Sequence, residues 1–260
     1  MNVVKVMGGL GNQLFQYAFG RVVEEYSKCS TGYDLSWYSV PRVPPRPYVL
    51  DKFDITVSKT LYLNTRKENE RFDCVPSLYT DNTYFSGYWQ NADLYNFKLI
   101  EEFRQRFHVK EEYHTPEFIE WRDKIRSCNA IALHVRRGDY LLHPNHLVLP
   151  LQYYQNALLY MDAMKKDTQI FIFSDDLNWC ADHFEYCYFV ELPEDYLEFE
   201  LMRECKHFII ANSTFSWWAA YLSMNSTIIA PKKWWRNSVN GCAVYEQRML
   251  REDWMHINLS

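Results

Sequence analysis

No stretch of this 260-residue chain approaches the roughly 20 consecutive apolar residues of a membrane-spanning helix. The opening Met1-Asn2-Val3-Val4-Lys5-Val6 reads as an immediate strand, without the long apolar core of a secretion signal. Positive charge is in deficit: 28 Lys and Arg against 33 Asp and Glu give a net −5, which argues against general nucleic-acid binding. Any basic site must therefore be local. The seven cysteines, at 29, 74, 128, 180, 187, 205 and 242, are odd in number and contain no C-x-x-C pair, which favours a reducing cytoplasm and no structural zinc. His143 and His146, the closest histidine pair, sit in a Pro-Asn loop and read as loop chemistry, with no further metal ligand to be named. Glycine is scarce as well, and three of only eight glycines fall in Gly8-Gly9-Leu10-Gly11.

What remains is an ordinary globular composition, 48% hydrophobic and 23% charged, at a length that suits two domains or one large one. Aromatics reach 17%, with 9 Trp and 20 Tyr; most belong to core, although flat amphipathic rings also suit sugar faces. In the second half, short β-rich runs (130–135, 169–173, 188–192, 207–211, 227–230) alternate with helical stretches (near 151–166, 195–206 and from 214). That rhythm predicts a parallel sheet covered by helices on both faces. The first half begins the same way, with strand 2–6, helix 12–27 and a strand near 30–34, and then loses regularity. Pro41–Pro47, with four prolines in seven residues, is expected to be an extended connection. A boundary near 125–130, after a polar helix over 115–127, divides the chain into 1–127 and 128–260.

The strand over 130–135 ends in His134-Val135-Arg136-Arg137-Gly138-Asp139-Tyr140. Strand ends in open α/β sheets bind anions, and two guanidinium forks followed by a glycine turn suit a pyrophosphate. Taken alone, a solvated Arg pair in a surface loop is an equally ordinary reading. Two further strand ends carry polar blocks. Ser174-Asp175-Asp176 can accept bonds from ribose or a guanine edge, can hold Mg²⁺ or Mn²⁺, or can cap the next helix. Asn212-Ser213-Thr214-Phe215-Ser216 opens a helix whose free amides attract anions, and Ser213 or Thr214 can also cap it. Gly9, Gly11, Asn12 and Gln13 follow the first strand. With Asp34 they imitate a dinucleotide fingerprint, but Leu14 stands at its third glycine, so a nicotinamide ligand ranks below a sugar or phosphate bonded by Asn12 and Gln13.

In combination these blocks resemble the bacterial alpha-1,2-fucosyltransferases: GGLGNQLFQYA at 8–18, HVRRGDY at 134–140, FSDD ahead of Trp179, and ANSTFSWWAAYL at 211–222. Gly87-Tyr88-Trp89-Gln90, Tyr153-Tyr154, Leu201-Met202 with Cys205, and Ala230-Pro231-Lys232 agree in order and spacing. Glu198-Phe199-Glu200 departs from the Asp-Leu more often found there, and 36–80 holds no matching motif. The resemblance implies a GT-B fold of two Rossmann-like domains facing across a cleft, with GDP-fucose held mainly by the C-terminal one. It also implies inverting, metal-independent transfer of fucose to the 2-hydroxyl of a galactose-type acceptor. Donors placed at the leaving phosphate lower the barrier, which points to Arg137 or Arg136 on the β-phosphate, with His134 shaping the pocket. Asp139 is the nearest candidate base and an equally good salt-bridge partner for an arginine. Tyr88, Trp89 and Gln90 are candidate acceptor contacts in the first domain, Trp89 being as well explained by core packing. The acceptor itself, a free oligosaccharide or a lipid-linked O-antigen or capsule glycan at the inner membrane face, is not legible. A non-catalytic sugar-binding module, resting on the aromatic content, is the reading that the Arg pair disfavours.

Overall fold

The computed structural model describes residues 1–41, 45–60, 66–69, 82–224, 226–236 and 248–259. Residues 42–44 of the proline-rich connection, and Cys74 and Cys242, lie outside them. The chain forms two compact units, Met1–Lys110 and Glu111–Ser260.

In the first unit β1 (Asn2–Lys5) runs parallel to β2 (Thr31–Asp34) on one side and β4 (Thr83–Ser86) on the other, and β3 (Arg66–Asn69) extends the sheet beyond β4. Between β1 and β2 lies α1 (Leu10–Ser27), which buries Leu14, Phe15, Ala18, Phe19, Val22 and Val23. That 3.6-residue stripe is what holds the helix to the sheet. The turn into α1 needs Gly8, whose φ of 85° lies where a Cβ is disfavoured. Helix α2 (Phe97–Arg106) starts where the Asn96 side chain accepts the Leu99 N–H at 2.9 Å, and it buries Leu99 and Phe103.

The second unit opens with α3 (Pro116–Arg126), capped by Thr115 with Pro116 in its first turn. Six strands follow: β5 (Asn129–Val135), β6 (Thr168–Ser174), β7 (Tyr188–Val190), β8 (His207–Ile209), β9 (Thr227–Pro231) and β10 (Met255–Ile257). Between them run α4 (Leu151–Met164), α5 (Leu177–His183), α6 (Asp195–Glu204) and α7 (Thr214–Leu222). All pairings are parallel and the spatial order is β10-β9-β8-β5-β6-β7. Numbered within the unit, this is the 3-2-1-4-5-6 order of doubly wound sheets, with the winding reversing between β5 and β8. Ile131, Leu133, Val135, Ile172 and Ile209 fill the core because central parallel strands are covered on both faces.

The elements read from the sequence are present, each end differing by no more than two residues. The two parallel α/β units are those of the GT-B class. The partition falls 17 residues before the expected boundary of 127/128, since α3 packs against β5 and α6 and so belongs to the second unit. Polarity of sequence hides this: α3 buries only Phe118 and Ile125.

Candidate active site

Three neighbouring strand ends converge where the winding of the second sheet reverses. β5 delivers 134–139, β6 delivers 174–176 and β8 delivers 212–216, and because the strands are adjacent and parallel these polar blocks share one edge. Open α/β sheets bind their ligands in this crevice.

The two arginines stand in a lattice of carboxylates. Arg136 donates from Nη2 to Asp139 Oδ1 at 2.6 Å and pairs through Nη1 with Asp175 Oδ2 at 3.2 Å. Arg137 donates its backbone N–H to Asp175 Oδ1 at 2.9 Å and its Nε to Asp176 Oδ2 at 3.0 Å. Its guanidinium carbon lies 4.1 Å from the Trp179 ring centroid, a cation–π contact that fixes the plane of the fork. Among the described residues, the Nη groups of Arg137 make no protein hydrogen bond, and the buried Nε of Arg136 has no acceptor. Asp176 also caps α5, accepting the Trp179 N–H at 3.2 Å, and Ser174 Oγ accepts the Asp176 N–H at 3.0 Å. Capping and arginine pairing thus coexist on one carboxylate. With guanidinium or backbone donors on both Asp175 and Asp176, this pair is not a vacant carboxylate set of the kind a divalent cation takes.

His134 is buried, its Nδ1 2.8 Å from Ser216 Oγ. Burial, reinforced by the Arg136 charge, lowers its pKa to about 3, so the ring is neutral. Ser216 is fully enclosed and its hydroxyl also reaches the carbonyls of Ala211 and Ser213, both at 3.4 Å. Ser213 caps α7, its hydroxyl accepting the Phe215 N–H at 3.4 Å. Asn212 donates to the carbonyls of Leu147 at 2.9 Å and Trp234 at 2.7 Å, tying two loops to the strand end. Thr214 and Phe215 remain partly accessible at the start of the helix.

These placements correct several sequence expectations. Ser216 is enclosed and bonded within the protein, so it builds the strand end rather than facing a ligand, while Asn212 commits its amide nitrogen to two carbonyls and, among the described residues, leaves its buried Oδ1 without a partner. Gln13 is fully buried: its amide donates to the Gly8 carbonyl at 3.1 Å and the Pro47 carbonyl at 2.8 Å and accepts the Val49 N–H at 3.0 Å. It is a buried tie between α1 and residues 47–49. Trp89 is 2% exposed and stacks on Phe19 at 4.0 Å, so it is core and not an acceptor contact. Asp139 is engaged by Arg136 through Oδ1. Asn12 is half-buried and accepts from Gln90 Nε2 at 2.9 Å, while Tyr88 is exposed. The Gly9 carbonyl accepts the N–H groups of Asn12 and Gln13, and Gly11 is buried in the first turn of α1.

Two contributors had no signal of their own. Trp179 was visible only as part of a motif, although its position three residues after the Asp176 cap places it beneath Arg137. Tyr140 donates its hydroxyl to the Asn212 carbonyl at 3.0 Å, joining the β5 and β8 ends.

Comparison with known proteins agrees with this frame. An O-antigen biosynthesis glycosyltransferase of Escherichia coli, WbnK, is 29% identical across 87% of this chain and 92% of its own length. An alpha-1,2-colitosyltransferase of Escherichia coli is 28% identical across 92% of this chain and 96% of its length. The crystal structure of NodZ alpha-1,6-fucosyltransferase soaked with GDP-fucose superposes with a TM-score of 0.57 at 14% identity, covering 88% of this chain and 94% of that one, a likeness of fold. Residues 41–258, which contain all three convergent strand ends, match the pattern of one family along their length, and the chain belongs to glycosyl transferase family 11.

Proposed function

We propose that the chain is an inverting galactoside alpha-1,2-fucosyltransferase, moving L-fucose from GDP-fucose to the 2-hydroxyl of a galactose-type residue in an oligosaccharide, O-antigen or capsule glycan. The observation that carries the reading is Arg136 and Arg137 at the end of β5, where the winding of a 3-2-1-4-5-6 sheet reverses. As the fucosyl C–O bond breaks, negative charge grows on the β-phosphate, and donors already in place stabilise it without reorganising. Arg137, held flat on Trp179 with both Nη groups uncommitted among the described residues, is the donor we assign to that phosphate. Arg136, bonded to two carboxylates, sets the shape of the site, and the amides at the start of α7 add positive potential. Asp175 and Asp176 accept from the nucleoside, and His134 and Ser216 brace the strand ends from behind.

With the charge of the leaving group met by guanidinium, transfer needs no metal. Among the described residues no helix is long and apolar enough to cross a membrane. A cytoplasmic location follows from the donor, at the inner membrane surface if the acceptor is lipid-linked. The test is calorimetric titration with GDP and GDP-fucose, with EDTA present and NAD as control. Binding of both nucleotides, lost in Arg137→Ala with the circular dichroism unchanged, is the expected result; binding of NAD alone would overturn the reading. The similarity to a colitosyltransferase makes the 3-deoxy analogue of fucose the competing donor sugar. Rates with GDP-fucose and GDP-colitose on lactose separate the two.

A further inference from the structure

In an inverting displacement the acceptor hydroxyl attacks the sugar from the side opposite the leaving phosphate, so the sugar ring stands between the base and the phosphate-binding cations. Inverting glycosidases keep their two carboxyl groups about 6.5–9.5 Å apart for a related reason, room for the nucleophile. Groups in direct contact with the arginines are therefore poorly placed as base. Asp139, Asp175 and Asp176 are all bonded to Arg136 or Arg137, and His134 is enclosed against Ser216 and barely basic. One aromatic ring further out stands His146.

The Arg136 guanidinium carbon lies 5.4 Å from the Tyr140 ring centroid, and the His146 ring stacks on Tyr140 at 4.2 Å. Trp235 lies 5.5 Å from the imidazole, and residue 146 is bridged to residue 235 through the backbone, so the ring is held between two aromatic groups. Arg236 donates its N–H to the Asn145 carbonyl at 3.3 Å and completes the brace. His146 is half-buried, and among the described residues neither of its ring nitrogens makes a hydrogen bond. A ring so firmly positioned, with both nitrogens uncommitted and set back from the cations by one phenol, has the attributes of a proton acceptor.

We propose, building on the fucosyl-transfer reading above, that His146 is the general base that receives the proton of the acceptor 2-hydroxyl. The hydroxyl oxygen forms its bond to the fucosyl C1, and the C1–O bond to the β-phosphate breaks with its electron pair passing to the phosphate. The hydroxyl proton moves to a ring nitrogen of His146 and is afterwards released to water. The electrostatic setting suits this task. Burial lowers the His146 pKa from its ordinary 6.5; His143, whose ring centroid is 4.4 Å away, lowers it further, Asp139 opposes the shift and Arg136 adds to it. The ring is thus neutral at pH 7 and able to take a proton. From the other side Trp235 presents no titratable group.

The test is the pH dependence of kcat/KM with GDP-fucose and lactose for the wild type, His146→Gln and His146→Ala, alongside GDP calorimetry. The wild type should lose activity as pH falls below 6.5, because the imidazolium cannot accept a proton. His146→Gln should fall by about 10²–10⁴-fold and lose that acid limb while binding GDP within twofold of wild type, and added imidazole should restore part of the His146→Ala rate. His143→Gln, by removing one source of the lowering, should move the acid limb to higher pH. Retention of the acid limb in His146→Gln, or loss of GDP binding together with rate and no rescue by imidazole, would overturn the assignment. Absence of fucosyl transfer by the wild type would instead overturn the functional reading itself.

Discussion

A single side chain can look alike in sequence and differ entirely in what surrounds it, and Trp89 and Arg137 show both outcomes. Trp89 sits in a Gly-Tyr-Trp-Gln block that suits a sugar site, yet it packs between Phe19 and Phe85, with ring centroids at 4.0 and 5.9 Å. Trp89→Ala should therefore destabilise the protein by about 3–5 kcal/mol in urea unfolding, the cost of an emptied aromatic site. A variant of wild-type stability with weakened acceptor binding would instead return Trp89 to the acceptor site. For Arg137 the expectation is opposite: removing a donor aimed at developing charge lowers kcat by about 10²–10³-fold with little change in stability. Its ion pair with Asp176 is partly exposed and contributes little to folding by itself.

At the level of elements, the site depends on how strand ends are fastened to one another. Gly138 shows the tolerance: a Cβ there would run into Oδ2 of Asp175, the same oxygen that pairs with Arg136. Gly138→Ala should displace Asp175, leave Arg136 paired with Asp139 alone and alter nucleotide affinity while the sheet below stays intact. Unchanged GDP binding by calorimetry would show that Asp175 has room to yield. Gln13 plays the corresponding part in the first unit, where one amide fastens the glycine turn at Gly8 to residues 47–49. Gln13→Ala leaves buried partners unsatisfied and should lower stability by about 1–3 kcal/mol. Equal stability with lost donor binding would contradict the placement.

For the molecule as a whole, one buried and one half-buried group tilt stability against pH in opposite senses. His134 titrates at about 3 when folded and near 6.5 when unfolded, so the unfolded chain binds the extra proton between those values. Stability should fall as pH drops through that window, by up to roughly 1.4 kcal/mol per pH unit. Glu198 is shifted the other way: burial, opposed by the Leu192 N–H and reinforced by Asp195 and Glu191, raises it from 4.5 to about 7. There the folded state binds the extra proton, and stability should fall as pH rises from 4.5 to 7. Over pH 4.5 to 6.5 the two slopes oppose each other. Glu198→Gln should raise stability at pH 8 and expose the uncompensated acid-side slope of His134, as read by urea midpoints at pH 5, 6 and 8. A profile identical to that of the wild type would show that Glu198 keeps an ordinary carboxyl pKa in the folded chain.

Local physics accounts for much of this protein. The alternation of apolar runs and capped helical stretches is enough for β5 through β9, because each strand and helix is identified by its own periodicity and its own end signals. The paired arginines, the carboxylate pair and the helix start at 212–216 are likewise readable as the polar ends of buried strands. The placement of α3 was not, since a helix that buries two residues leaves almost no pattern to say which unit it joins. Nor could sequence decide between ligand and scaffold for Gln13, Ser216 and Trp89. Each carries groups that bond or stack equally well with a sugar or with the chain's own backbone and core, and only the long-range packing that surrounds them settles which partner they meet.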